Sequence, residues 1–334
     1  MTGSSATFRV AIVGCGRMGV RFHAPAFAAQ PDCRIVACAS RTIEKAEALA
    51  RTHGATAYTS VVEMLEREDP DVIVITTPES AHLDPLAAAL AGGRHVFVEK
   101  PLHAAQGQEW VSGQDFEAAA AVLAMWDRRR SLVGVNFNYR TMPHLLQLKA
   151  DIDSGALGAI RVVIASAHLN CWSHVIDLLR WCCGDVAEVF AHWAIGQERL
   201  ERAVSLRFAS GAVGTVVGAR YDFRDDLFRL EVYGTTARGV IEGLNGSYRR
   251  NAEESPQPDV VWPRRDFGND LFAPSFRASV DAYCEALRAG RQPSPDGDDA
   301  LAELAVEAAI HRSATSGQAA AVPRAGPGSQ APAC

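Results

Sequence analysis

A glycine-rich turn stands directly behind an apolar, strand-like run: Gly14-Cys15-Gly16-Arg17-Met18-Gly19 follows Val10 to Val13. Each glycine of such a turn has a physical task. Gly14 permits a tight turn, Gly16 lets backbone approach a pyrophosphate, and Gly19 lets the following helix close on the strand. A glycine-rich structural turn is the competing reading. The position behind a strand and ahead of a helix is the context that a dinucleotide turn requires. Further on, Glu99-Lys100-Pro101 follows a second apolar run, Val96 to Val98. In a doubly wound sheet the carboxyl ends of the strands face one crevice, where ligands bind. The sequence thus predicts a cofactor turn and an ionisable amine at one crevice, which points to redox chemistry.

The first 135 residues alternate β-branched runs with helical patterns. Strands are predicted at Phe8–Val13, Arg34–Ala39, Val72–Thr76, His95–Val98 and Leu132–Val135, with helices such as Thr42–His53 and Ala81–Ala91 between them. This alternation implies an α/β domain, a parallel sheet covered on both faces. From about Asn136 the pattern changes. A helix (Met142–Ser154), a strand (Ile160–Ala167) and a helix (Trp172–Cys183) precede the strand-like runs Ala187–Ala194, Arg202–Phe208, Val213–Ala219, Leu227–Tyr233 and Gly239–Glu242. Their short links favour antiparallel pairing. Two helices, Ser275–Ala289 and Asp298–Ser313, close the pattern. The expected domains are 1–135 for dinucleotide binding and 136–315 for substrate binding and oligomerisation. The Ala-, Pro-, Gly- and Ser-rich stretch 316–334 is expected to be a disordered tail.

Composition narrows the partners. A net charge of -6 argues against a nucleic-acid or anionic-membrane surface, so a small-molecule substrate is expected. Eight cysteines show no C-x-x-C spacing, and only Cys182 and Cys183 adjoin, which reads as reduced thiols rather than a metal site. Residues 1–7 are small and polar, unlike a signal peptide, and no run approaches a membrane span. A cytoplasmic protein is the expectation.

The end of the second strand bears on the cofactor. NAD enzymes usually place a carboxylate there for the ribose 2′-hydroxyl. Here Ala39-Ser40-Arg41-Thr42 has no acid before Glu44. Arg41 and Ser40 could bind a 2′-phosphate that a carboxylate would repel. NADP(H) is favoured, with NAD(H) open if Arg41 is simply solvated.

At this point the sequence resembles the glucose–fructose oxidoreductase/inositol dehydrogenase/rhizopine catabolism (Gfo/Idh/MocA) family over about residues 8–315. The shared segments are GCGRMG (14–19), ITTPESAH (75–82), AGGRHVFVEKPL (91–102), NYRTMP (138–143), DSGALG (153–158), HVIDLLRW (174–181) and the closing SFRASVDAYCEALRAGRQP. The resemblance implies an N-terminal Rossmann domain and a C-terminal α+β domain with a large, mostly antiparallel sheet. The open face of that sheet would make a homo-oligomer, a dimer or tetramer. It also implies hydride transfer between a nicotinamide and a carbinol carbon of a sugar, cyclitol or related polyol.

Carried over by motif, Lys100 would hydrogen-bond the reacting oxygen and move its proton. Glu99 would position backbone or ribose. His174 matches the histidine of the family's D-x-x-x-H, and Asp177, three residues on, would share its helix face. Asn170 takes the motif's Asp position and can orient but not titrate. It could equally cap the helix, and Asp177 could equally pair with Arg180. Thr77, Pro78 and His82 would line the cofactor pocket with Gly14, Gly16, Arg17, Met18, Gly19, Ser40, Arg41, Glu99 and Lys100. Arg140 is a substrate-site candidate, with packing as its alternative.

Two departures from the family stand out. The long loop that usually precedes the D-x-x-x-H helix and helps roof the substrate is missing, and only His168 and Leu169 stand before Asn170. Conversely, the stretch after EKPL is extended around Gln106–Gln114. The expectation is that 103–114 folds over the nicotinamide end with Trp110 as its apolar anchor, the alternative being a Trp110 that packs a surface helix. The leading reading is an NADP(H)-dependent oxidoreductase on a sugar or cyclitol alcohol/ketone pair, with a carrier-linked substrate as one form of it. Its high Ala and Arg content is that of high-GC bacteria, in which such enzymes often serve secondary-metabolite sugars. A non-catalytic NADP(H)-binding sensor and an imine or bilin-type reductase on the same fold remain as alternatives.

Overall fold

The computed structural model describes residues 7–194, 201–220, 228–252, 259–262 and 271–323. The chain forms two compact units. The first takes the residues up to Ala105, Glu117–Phe137 and Phe276–Leu301. The second takes Gln106–Phe116, Asn138–Ser275 and the residues from Ala302.

In the first unit six strands form one parallel sheet: β1 (Phe8–Val13), β2 (Cys33–Ala39), β3 (Thr56–Tyr58), β4 (Val72–Ile75), β5 (His95–Val98) and β6 (Val133–Val135), in the order β3-β2-β1-β4-β5-β6. The strand order reverses between β1 and β4, the place where doubly wound folds bind ligands. Val10, Ile12, Val72, Val74 and Phe97 pack into a core with Ala24 and Phe27 of α1 (Ala24–Ala28) and with Leu49 of α2 (Ile43–His53). Helix α3 (Val61–Glu68) starts where the sequence signals it, with the Ser60 hydroxyl accepting from the Glu63 amide at 3.3 Å. Helices α4 (Leu83–Ala91) and α5 (Gly113–Leu123) complete the alternation.

The second unit holds a nine-stranded sheet. Its strands are β7 (Val162–His168), β8 (Val186–Trp193), β9 (Arg202–Phe208), β10 (Val213–Ala219), β11 (Arg229–Tyr233), β12 (Ala237–Glu242), β13 (Ser247–Ala252), β14 (Asp259–Trp262) and β15 (Ala320–Ala321). They lie in the order β14-β13-β12-β11-β7-β10-β9-β8-β15. Every pair is antiparallel except β7 with β10. Helices α6 (Pro143–Asp153) and α7 (Trp172–Cys183) share the core on one face, where Leu145, Leu148, Trp172, Val175 and Leu179 meet Val163, Val204 and Leu230. On the other face Val162, Ile164, Val213 and Val217 are exposed.

The domain boundaries differ from the two consecutive blocks, 1–135 and 136–315, that the sequence suggests. Val280, Tyr283, Cys284 and Leu287 of α8 (Phe272–Arg288) pack into the core of the first unit. Residues 106–116 join the second unit, where Trp110 packs tilted against Trp193 and edge-on to His311. The expected disorder of 316–334 is also corrected at its start. Ser316 ends α9 (Gly297–Ser316), and β15 pairs with β8 through Ala320 opposite Val189. Residues 324–334 lie outside the described residues. No helix among the described residues is long and apolar enough to cross a membrane.

Candidate active site

In the first unit the carboxyl ends of the central strands are locked into a row. The Gly14 amide donates to Ala39 O (2.8 Å), Thr76 to Val13 O (2.8 Å), Glu99 to Ile75 O (3.0 Å) and Asn136 to Val98 O (2.8 Å). The residues just beyond β1, β4, β5 and β6 are therefore neighbours along one sheet end. The Thr76 hydroxyl donates to Gly14 O at 2.6 Å, which braces the glycine turn from the next strand.

The turn fits a dinucleotide. Gly14 has φ +103°, and a Cβ there would lie 2.5 Å from the backbone of Thr76 and Thr77. A Cβ on Gly19 would lie 2.3 Å from Gly14 O. Beside Gly16 there is open space, with nothing within 4 Å of a Cβ. The close contacts hold the turn, and the gap beside the middle glycine is where backbone can receive a pyrophosphate. Arg17 is exposed and Met18 half-buried beside that gap in sequence. At the end of β2, Ser40 is half-buried with its hydroxyl accepting from the Thr42 amide (3.4 Å), and Arg41 is exposed. Thr77 is half-buried and Pro78 exposed.

Glu99 does not face solvent. It is 7% exposed, and its Oε1 meets His23 Nε2 at 2.5 Å and accepts from Asn136 Nδ2 at 3.0 Å. Its Oε2 accepts from the Lys100 amide at 3.3 Å. Burial alone would raise its carboxyl. The His23 bond and charge, the Lys100 charge and the Asn136 amide outweigh it and hold Glu99 below the ordinary carboxylate range. Lys100 itself is half-buried. On the other side of it, His82 is enclosed between two carbonyls, with Nδ1 2.9 Å from Pro101 O and Nε2 2.9 Å from Thr77 O. Burial lowers the proton affinity of this ring, against the two carbonyls, which favour its charged form. His82 thus joins the loop after β4 to the residue after Lys100, a bracing role within the expected cofactor-pocket set.

In the second unit, α7 carries His174 and Asp177, both buried. His174 stacks flat on Tyr139, with centroids 3.9 Å apart and planes at 12°. The Tyr139 hydroxyl donates to Cys171 Sγ at 3.0 Å. Asp177 receives Arg140 in both oxygens, Nε to Oδ2 at 2.8 Å and Nη2 to Oδ1 at 2.5 Å. Against the expected alternative of Asp177 with Arg180, the structure puts Arg140 on Asp177, and Arg180 bonds Asp185 at 2.8 Å. The pair of Arg140 and Asp177 joins the turn that carries Arg140 to α7, in line with the packing alternative for Arg140. The helix cap suggested for Asn170 is absent. Asn170 is exposed on a single turn of 3-10 helix ahead of α7, α7 is capped at Cys171 with no side-chain bond, and the Asn170 amide donates to His168 Nδ1 at 3.1 Å. His168, which sequence reasoning passed over, thereby shapes the entry to α7.

Trp110 belongs to the second unit. Its ring lies 4.8 Å from Trp193 and 5.0 Å from His311. Arg202 Nη2 donates to Glu109 O at 2.6 Å, and Arg220 pairs with the Glu109 carboxylate. The extended stretch is therefore held at Glu109 and at the Trp110 ring, ahead of α5 rather than on it. Sequence reasoning also missed His23, Asn136 and Tyr139. Their signal was faint: His23 stands four residues after Gly19, and the other two flank segments read only for Arg140.

Comparison with known proteins agrees with this architecture. Residues 8–137 match the family model described as an oxidoreductase family with an NAD-binding Rossmann fold, and residues 164–240 match the GFO/IDH/MocA C-terminal domain. The chain is 35% identical to dTDP-3,4-didehydro-2,6-dideoxy-alpha-D-glucose 3-reductase of Streptomyces violaceoruber, over 89% of this chain and 91% of that one. It is 26% identical to inositol 2-dehydrogenase of Rhizobium meliloti, over 92% and 97%. Among solved structures, levoglucosan dehydrogenase in complex with NADH shares the fold, with a TM-score of 0.82 at 22% identity over 95% of this chain and all of that one.

Proposed function

Because this chain belongs to the Gfo/Idh/MocA oxidoreductase family, we propose that it is an NADP(H)-dependent reductase of a sugar ketone, with a nucleotide-linked deoxysugar as the first candidate and a cyclitol as the second. When bound, the nicotinamide supplies the hydride to the carbonyl carbon, or takes it up in the reverse direction. The chain's own residues do the rest. Gly14, Gly16 and Gly19 hold the pyrophosphate on backbone, and Ser40 and Arg41 take the 2′-phosphate. The Lys100 ammonium gives its proton to the carbonyl oxygen as the C=O electron pair becomes an O–H bond.

One observation carries this reading. Lys100 stands at the carboxyl end of β5, in the same sheet-end row as the Gly14 turn, on a backbone held by Glu99. His174 is the second proton-carrying candidate, oriented by its stack on Tyr139. The likeness to a dTDP-ketosugar reductase supports the nucleotide-linked candidate. A carboxylate-free end of β2 supports NADP(H). The exposed Val162, Ile164, Val213 and Val217 supply an apolar face that a second copy would cover, in line with a cytoplasmic homo-oligomer.

The test is transfer of deuterium from 4-deuterated NADPH to a panel of ketosugars, dTDP-linked 3-ketosugars included, read by mass spectrometry of the product. Label in the sugar carbinol establishes the activity. Absence of label from the whole panel, with tight NADPH binding, overturns the ketosugar reading and leaves the sensor, which the exposed Asn170 in place of an acid favours, and the imine or bilin-type reductase.

A further inference from the structure

We propose that His23 is a positioning residue for Lys100, acting through the buried carboxylate of Glu99, and that it ties Lys100 to the helix that opens at the dinucleotide turn. The inference rests on the reading of Lys100 given above.

The observations are these. His23 is fully buried and ends a five-residue π-helical turn, Gly19–His23, whose first residue is the last glycine of the turn motif. Such a turn is rare and tends to occur at functional sites. It aims Nε2 at Glu99 Oε1, 2.5 Å away. The ring is walled edge-on by Phe97 (5.7 Å between centroids) and Phe276 (5.5 Å), so it has little room to turn. Asn136 holds the same carboxylate oxygen from β6, and the other oxygen takes the Lys100 amide. Among the described residues, the charged or titratable neighbours of the carboxylate are His23, Lys100 and, acting at longer range, His82.

A buried carboxylate–imidazole pair is weak as a stabiliser, because desolvation offsets most of its attraction. Its geometry suits another task. Glu99 takes one bond from the helix after the glycine turn, one from β6 and one from the backbone of Lys100. Without the first, the carboxylate can swing and the Lys100 backbone loses its brace. The tie also runs from Lys100 to the turn, so a change at either end is felt at the other.

The chain has three lysines, Lys45, Lys100 and Lys149, which makes each one separable. The experiment is competitive acylation with acetic anhydride, read lysine by lysine by peptide mass spectrometry, with and without NADPH. His23→Gln keeps an amide donor at the place of Nε2, whereas His23→Asn is too short to reach. His23→Asn should change the Lys100 rate at least about threefold and weaken its response to NADPH, while Lys45 and Lys149 keep their rates. His23→Gln should stay near the native rate. The proposal is overturned if folded His23→Asn leaves Lys100 at the native rate, or if all three lysines change together. Should His23→Asn not fold, Glu99→Gln gives the same comparison, and an unmoved Lys100 there overturns the proposal equally. Near-native turnover of Lys100→Met would remove Lys100 from proton transfer without touching the labelling result, so the two failures are distinguishable.

Discussion

Arg140 and Asp177, 37 residues apart in sequence, form a buried two-bond ion pair in which both carboxylate oxygens are engaged, at 2.8 and 2.5 Å. Arg140 comes from a single helical turn at 138–141 and Asp177 from the middle of α7, so the pair fixes the helix that carries His174. The Arg140 guanidinium also lies 5.6 Å from the Trp181 ring. A carboxylate held through both oxygens is well placed to anchor the helix it stands on.

The pair sets the first prediction. Asp177→Asn removes the carboxylate that Arg140 engages through two nitrogens, and breaking a buried pair from one side costs about 3–5 kcal/mol. Replacing both partners, Arg140→Met with Asp177→Leu, should recover most of that loss. Urea unfolding of the two single variants and the double variant measures it. Additive losses would show that the two side chains do not act as a pair.

The glycine turn separates folding from binding. Gly16 has open space where a side chain would go, so Gly16→Val should keep the native unfolding midpoint and lose NADPH binding. Gly19→Val would drive its Cβ against Gly14 O, so it should lower the midpoint as well. Thermal melts beside calorimetric titration with NADPH check both. Native-like binding by Gly16→Val would place the dinucleotide elsewhere.

On the proposed reading, Arg41 and Ser40 take the 2′-phosphate. Arg41→Ala should weaken NADPH by about 1.5–3 kcal/mol, the size of a charge-assisted hydrogen bond, and leave NADH nearly unchanged. Equal losses for both cofactors in titration calorimetry would refute the 2′-phosphate role.

Much of the first unit was legible in its sequence, and the reason is local. Its strands are short apolar runs buried on both faces, so β1 and β5 stand out by composition alone, and Gly14 and Lys100 follow them directly. Edge strand β3, Thr-Ala-Tyr, is too short to show a pattern, and β13, Ser-Tyr-Arg-Arg-Asn-Ala, has too few apolar residues. The parallel neighbours β7 and β10 are separated by α7, β8 and β9, so their pairing depends on distant chain. The same holds for the site. Lys100 and His174 were visible through local motifs. Their surroundings were not: His23, which bonds the neighbouring Glu99, and Tyr139, which stacks on the His174 ring, come from remote segments. Segment 103–114 begins two residues after Pro101, which points to Trp110 as a cofactor-side anchor. Its partners Trp193 and His311 lie far along the chain, and no local pattern points to them.

Acid stability should report on a buried histidine. His144, at the start of α6, is fully buried, and burial pushes its proton affinity down to about 4. Neither ring nitrogen has a hydrogen-bond partner among the described residues. In the unfolded chain a histidine takes up its proton near pH 6.5. Between about 6.5 and 4 the unfolded state therefore binds a proton that the folded state does not, and stability falls as the pH falls through this window. The loss is about 3 kcal/mol once the pH is below both values. Above pH 6.5 the ring is neutral in both states and the difference vanishes. His144→Leu has no ring to protonate. Its unfolding free energy should fall less than that of the native chain between pH 7 and pH 4.5, with the gap opening below pH 6.5. Urea titrations at half-unit steps of pH measure this, and parallel curves for the two proteins would show that His144 takes its proton without unfolding the chain.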